Sequence, residues 1–149
     1  MDSYTAFLRV RHPSIDPDEI TRELGLEPAH AWAAGSPRAA EPARGAHPDS
    51  YWFAPLAVPA WAPESRLAEW PGSQTLPLES FLLAQVRLLT PHKSFFARIN
   101  TEGGSCELAV TLGMQGRLVV ELPASLVRSL AALDLSVTLE VATADELPN

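Results

Sequence analysis

Two stretches of strict alternation constrain this chain most. In residues 4–11, Ala6, Leu8 and Val10 fall on one side, while Thr5, Phe7, Arg9 and Arg11 fall on the other. In residues 105–112, Cys106, Leu108, Val110 and Leu112 share a side. Successive side chains of a strand point to opposite faces, so a period of two marks a half-buried strand. Strands of this kind need a covering layer on one side only. The pattern predicts two more strands after residue 112. One spans 117–122, returns through a hairpin turn at 113–116, and carries Leu118, Val120 and Leu122 inward. The other closes the chain with Val137, Leu139 and Val141.

The cover is helical. Asp16 is placed as an N-cap, Pro17 as the first helical residue, and Glu19 where it closes a capping box. Ile15 and Ile20 form the hydrophobic staple around that cap, Ile20 and Leu24 the inner stripe. Gly25 suits the left-handed residue past the helix end, and Pro28 forbids continuation. From Pro77, Leu78, Phe81, Leu82, Val86 and Leu89 recur at helical spacing. Thr90-Pro91 breaks that run, and a second short helix carries Phe95, Phe96 and Ile99. Pro123 opens a third, with Leu126, Val127, Leu130 and Leu133. The expected class is α+β: an antiparallel or mixed β-sheet with helices packed on one face. A ferredoxin-like arrangement leads, because a hairpin followed by a helix and a strand is half of it. A chain of 149 residues suits a single domain, 1–149, with a frayed tail at 142–149.

Between the regular halves lies a different kind of sequence. All four tryptophans and nine of the fourteen prolines fall in residues 28–77. Apolar rings favour order there, and prolines lower the entropy lost on ordering. Residues 29–50 and 54–76 read as long loops, with one helical turn at 64–69. Residues 51–53 read as an aromatic strand that places Trp52 in the core. Trp32, Trp61 and Trp70 then sit on proline-stiffened loops edged by Asp49, Glu64 and Glu69, where they either plug the open face of the sheet as a hydrophobic lid or form an aromatic contact surface.

Familiar chemistry is not evident. His12, His30, His47 and His92 have no partners at metal-ligand spacing and read as exposed residues of loops or a helix start. Cys106 falls on the inward face of a strand and reads as a small hydrophobe. Gly103-Gly104 precedes a strand and reads as a turn. Asp16, Asp18 and Glu19 are accounted for by capping and the helix dipole. No catalytic residue, cofactor or metal is expected. The formal charge of -7, from 18 acids and 11 scattered bases, disfavours nucleic acid and suits either solubility alone or a basic partner. With no signal segment, no run long enough to span a bilayer, and one cysteine, a cytoplasmic protein is expected.

The strand LRVR, the stretch DPDEITRELGLEP at 16–28, Gly35, Trp52, the leucine-rich helix with its Thr-Pro break, and the closing elements together resemble the DUF4279 family of bacterial proteins. The resemblance covers residues 4–141. Its motif positions, Asp16, Pro17, Ile20, Leu24, Gly25 and Leu26, are the capping and packing positions above. The segment 55–77 looks longer than the family's usual connection. The family has no assigned function, so the resemblance implies no catalytic residues. Small bacterial domains of this kind often occur as immunity proteins beside secreted toxins.

The expected function is therefore non-enzymatic binding of a protein, one form of it an immunity protein that occludes a basic toxin. The expected contact surface is Trp32, Asp49, Trp61, Glu64, Glu69 and Trp70. The alternative is a small-ligand-binding or regulatory domain whose pocket is lined by Trp52 and Trp61, with Arg9 or Arg38 reaching in. A third reading, a hydrolase or transferase without a recognisable motif, calls for a histidine and a carboxylate in hydrogen-bond reach within a polar cleft. Homodimerisation through an exposed strand edge is compatible with all three.

Overall fold

The computed structural model describes residues 3–37, 45–57, 78–113 and 119–142. The chain runs β1 (Ser3–His12), α1 (Pro17–Leu24), β2 (His30–Trp32), β3 (Ser50–Pro55), α2 (Leu78–Leu89), α3 (Lys93–Thr101), β4 (Ser105–Gly113), α4 (Ala124–Ala132) and β5 (Leu135–Ala142). A single 3-10 turn, Thr90–His92, separates α2 from α3, where Pro91 withholds a backbone donor. The strands form one mixed sheet in the order β2-β3-β1-β4-β5. β1 is central and antiparallel to both neighbours, β2 is antiparallel to β3, and β5 is parallel to β4.

The expected one-faced sheet is present. Leu8, Val10, Trp52, Ala54, Cys106, Leu108 and Val110 are buried on the helix side. They pack with Ile20 of α1, Phe81, Leu82 and Leu89 of α2, Phe96 and Ile99 of α3, and Leu126 and Leu130 of α4. Tyr4 meets Phe81 edge to face, with ring centroids 5.4 Å apart. Burial holds the Tyr4 hydroxyl well above the usual phenol range.

α1 begins as its sequence demands. Asp16 has extended backbone, and its Oδ1 accepts from the Asp18 amide at 3.0 Å. Ile15 and Ile20 are both buried, as the staple requires. Gly25 closes the helix at φ 68°. The capping box is not made: the Asp16 side chain takes the Asp18 amide rather than that of Glu19, and the Glu19 carboxylate turns away to Arg98 Nη1 at 2.5 Å.

Three expectations need correction. Among the described residues no hairpin follows β4, whose two edges are taken by β1 and β5. Residues 119–122 are not strand, and 114–118 lie outside the described residues. The connectivity also departs from the ferredoxin arrangement. β4 and β5, joined through α4, lie side by side, whereas a split βαβ unit would hold a strand between them. Finally, Trp32 is not in a loop but ends β2, paired with Tyr51.

The closing strand is less buried than its pattern implies. Leu135 is buried, whereas Leu139 is 36% and Val141 55% exposed. Cys106, opposite Leu135 in the register, is buried as expected. Burial, and secondarily the charge of Asp134, pushes its thiol up to about 12. The native chain should therefore resist thiol reagents at pH 8 and expose one reactive thiol on unfolding. Labelling of the folded chain at the unfolded rate would contradict this placement.

Candidate functional site

The face of the sheet turned away from the helices carries a belt of rings and charges. Pairing builds it directly. Tyr51 lies opposite both Arg11 and Trp32, and Phe53 lies opposite both Arg9 and His30. Cross-strand neighbours on one face touch, and aromatic pairs add about 0.5–1.5 kcal/mol beyond the area they bury. Trp32 stacks on Tyr51 at 4.6 Å and on His47 at 4.3 Å, both nearly parallel. Phe7 stacks on Phe53 at 4.4 Å. The Arg9 guanidinium lies 5.5 Å from the Phe53 centroid and that of Arg11 5.0 Å from Tyr51.

The belt continues across the sheet in polar form. Arg9 Nη1 donates to Glu107 Oε1 at 2.6 Å, and Thr138 Oγ1 donates to Glu107 Oε2 at 2.9 Å. Two donors of the belt, Arg9 Nε and Trp32 Nε1, are buried without a hydrogen-bond partner. A groove of about 230 Å³ runs along this face between Phe7, Phe53 and Thr138. The rings occupy one another's faces, which leaves little ring surface for a stacked nucleobase.

One end of the belt meets three loops. They follow β1, precede β3 and precede β4, and they frame a cleft of about 380 Å³ lined by Arg11, His12, Asp49 and Gly104 among others. Buried hydrogen bonds pin the loops. Ser50 Oγ donates to the Ile15 carbonyl at 2.5 Å and accepts from the Ala34 amide at 2.9 Å. At Gly104 the chain runs so close to β1 that a Cβ would stand 2.4 Å from the Arg11 carbonyl oxygen, so only glycine fits.

His12 is buried in this structure, not exposed. Its Nδ1 accepts from the Ser14 amide at 2.9 Å and the Ile15 amide at 2.8 Å. The ring proton is thereby placed on Nε2, which donates to Glu102 Oε1 at 2.7 Å. Glu102 Oε2 in turn accepts from Arg98 Nε at 3.1 Å. The bond from His12, then that from Arg98, holds the Glu102 carboxyl below the usual glutamate range. Its contribution to stability is thus present above the ordinary glutamate pKa and lost as pH falls through the lowered native value. A histidine and a carboxylate in a cleft look like an acid–base pair. Here both ring nitrogens are engaged by the fold, and neither is free for a substrate. Two of the other histidines also differ from plain surface residues, His92 through its Nδ1 pairing with Glu23 at 2.8 Å and His47 through its stacking on Trp32, while His30 is exposed.

The structure brings together two of the six expected contact residues. Trp32 lies in the belt, and Asp49 borders the cleft beside it. Trp61, Glu64, Glu69 and Trp70 lie outside the described residues, as do Arg38 and the helical turn at 64–69. The charged groups in contact with the rings are Arg9, which is paired with Glu107, and Arg11; of the expected acidic edge, Asp49 borders the cleft, and Glu64 and Glu69 lie outside the described residues. Trp52 is fully buried on the opposite face. Sequence reasoning missed Phe7, Arg9, Arg11, Tyr51 and Phe53 as a surface, although the outward phase of the alternation already carried Phe7, Arg9 and Arg11. Among the described residues, no group of three or more His, Cys, Asp or Glu could hold a metal ion, and no helix is long and apolar enough to cross a membrane.

The family model for a domain of unknown function, DUF4279, matches residues 2–143. The chain belongs to this family. No curated protein and no solved structure matches it. In this DUF4279 domain the motif DPDEITRELGLEP supplies α1 and its two caps, so the most specific part of the resemblance is structural. The rings and arginines of the belt, Phe7, Arg9, Arg11, Trp32, Tyr51 and Phe53, lie elsewhere, on β1, β2 and β3.

Proposed function

We propose that this DUF4279 domain is a non-enzymatic binding protein whose contact surface is the open face of its sheet. The observation that carries the reading is the composition of the belt. Trp32, Tyr51, Arg9 and Arg11 are the residue types that dominate binding hot spots, and here they stand together on a rigid sheet. The net charge of -7 favours a partner that is basic overall and speeds its approach. A cytoplasmic immunity protein that occludes a basic toxin is the form of this function that the charge supports. A second reading, a small-ligand domain, is favoured by the groove between Phe7, Phe53 and Thr138.

The test is affinity capture from an extract of the native host, using the full chain as bait. The wild type should retain a protein partner. Arg11→Glu combined with Tyr51→Ser should lose it by at least about tenfold at unchanged melting temperature, the effect expected of hot-spot residues. Equal retention by the double variant would refute the surface assignment. A bait that carries only a bound small molecule, detected by native mass spectrometry, would favour the second reading instead.

A further inference from the structure

The two edges of the sheet are unlike. The β2 edge is three residues long, with Pro28 before it and Pro37 after it. Short edges with flanking prolines resist pairing with other chains. The β5 edge is eight residues long, LSVTLEVA, without proline, glycine, lysine or arginine. Among the described residues β5 pairs only with β4. Leu139 and Val141 lie on the helix side, opposite Val110 and Leu112 in the register, yet both are exposed while those neighbours are buried. A long edge with bare apolar side chains and one charge lacks the usual protection.

The strand is also complementary to itself. We propose that β5 pairs antiparallel with β5 of a second copy, about a two-fold axis through Thr138. The two sheets then continue into one. With the axis normal to the sheet, residues of one face meet residues of the same face. Val141 then meets Leu135 of the other copy, and Leu139 meets Val137. Glu140 meets Ser136, so the one charge of the edge faces a hydroxyl. Centring the pair on Glu140 would instead oppose two carboxylates, which is unfavourable. The two copies of Thr138 lie opposite each other at about 4.5–5.5 Å between Cα atoms, within disulfide range. The pairing rests on the backbone edge of β5; although Thr138 Oγ1 also bonds Glu107 at the polar end of the belt, it draws nothing from the rings and arginines of β1, β2 and β3 that carry the proposed function.

Sedimentation equilibrium of the full chain tests it. The wild type should show twice the chain mass, and Leu139→Lys with Val141→Lys once the chain mass with unchanged circular dichroism. Thr138→Cys should oxidise to a covalent dimer, whereas Ala31→Cys on the opposite edge should not. Should the lysine variant fail to fold, the Thr138→Cys crosslink decides alone. A monomeric wild type, with or without another protein's strand on the edge, overturns the proposal. So does a dimer that survives both lysines, or a Thr138→Cys chain that stays uncrosslinked.

Discussion

Replacing Trp52 by alanine should cost about 3–5 kcal/mol, the range for large aromatic truncations in a core. Domains of this kind have only about 5–15 kcal/mol in hand, so the variant should be largely unfolded or unfold at much lower urea. Two terms add. Trp52 is wholly buried between β3 and the helix layer, so truncation leaves a cavity. Its Nε1 also donates to Thr21 Oγ1 at 3.0 Å, tying the sheet to α1. Trp52→Phe retains most of the volume and loses that bond, so it should cost far less than alanine. Urea midpoints of the two variants check this. A loss below about 1 kcal/mol for Trp52→Ala would be a surface value and would contradict the burial.

His12→Ala should cost about 2–4 kcal/mol, because it strands the Ser14 and Ile15 amides that Nδ1 now satisfies. The decisive comparison is between two amides. In Asn, Oδ1 falls near the position of Nδ1, so His12→Asn should restore much of the loss. In Gln, the amide reaches toward the position of Nε2, so His12→Gln keeps the link to Glu102 but not the turn, and should stay near the alanine value. The reverse ranking would show that the Glu102 bond, not the backbone turn, is what His12 supplies. The experiment also bears on the cleft, since the pinned turn forms one of its walls.

Local chemistry was legible, and non-local pairing was not. The caps of α1, the break at Thr90-Pro91 and the inward phase of β1 and β4 each depend on a few adjacent residues. They appear in the structure as the sequence implies. The hairpin after β4 failed for a non-local reason. Alternation at 117–122 says that a strand would suit, but both edges of β4 go to β1 and to β5, which returns after α4. β2 was missed because a three-residue strand has no period, and its ladder is set by β3. The candidate site was half legible. Trp32 and Asp49 were selected for residue type, and the arginine and aromatic partners were visible only as the outward phase of strands. What joins them is the order β2-β3-β1, which no local pattern encodes.

In the proposed function the open face of the sheet, not the helix face, makes contact with the partner. Hydroxyl-radical footprinting of the free chain and of the captured complex tests it most directly, because rings are among the most reactive side chains. Trp32, Tyr51, Phe53 and Phe7 should lose oxidation on binding, while the exposed helix-side residues Leu83 and Val127 should not change. Equal oxidation of Trp32 and Tyr51 in the free and bound states, with protection at Leu83 and Val127, would contradict it.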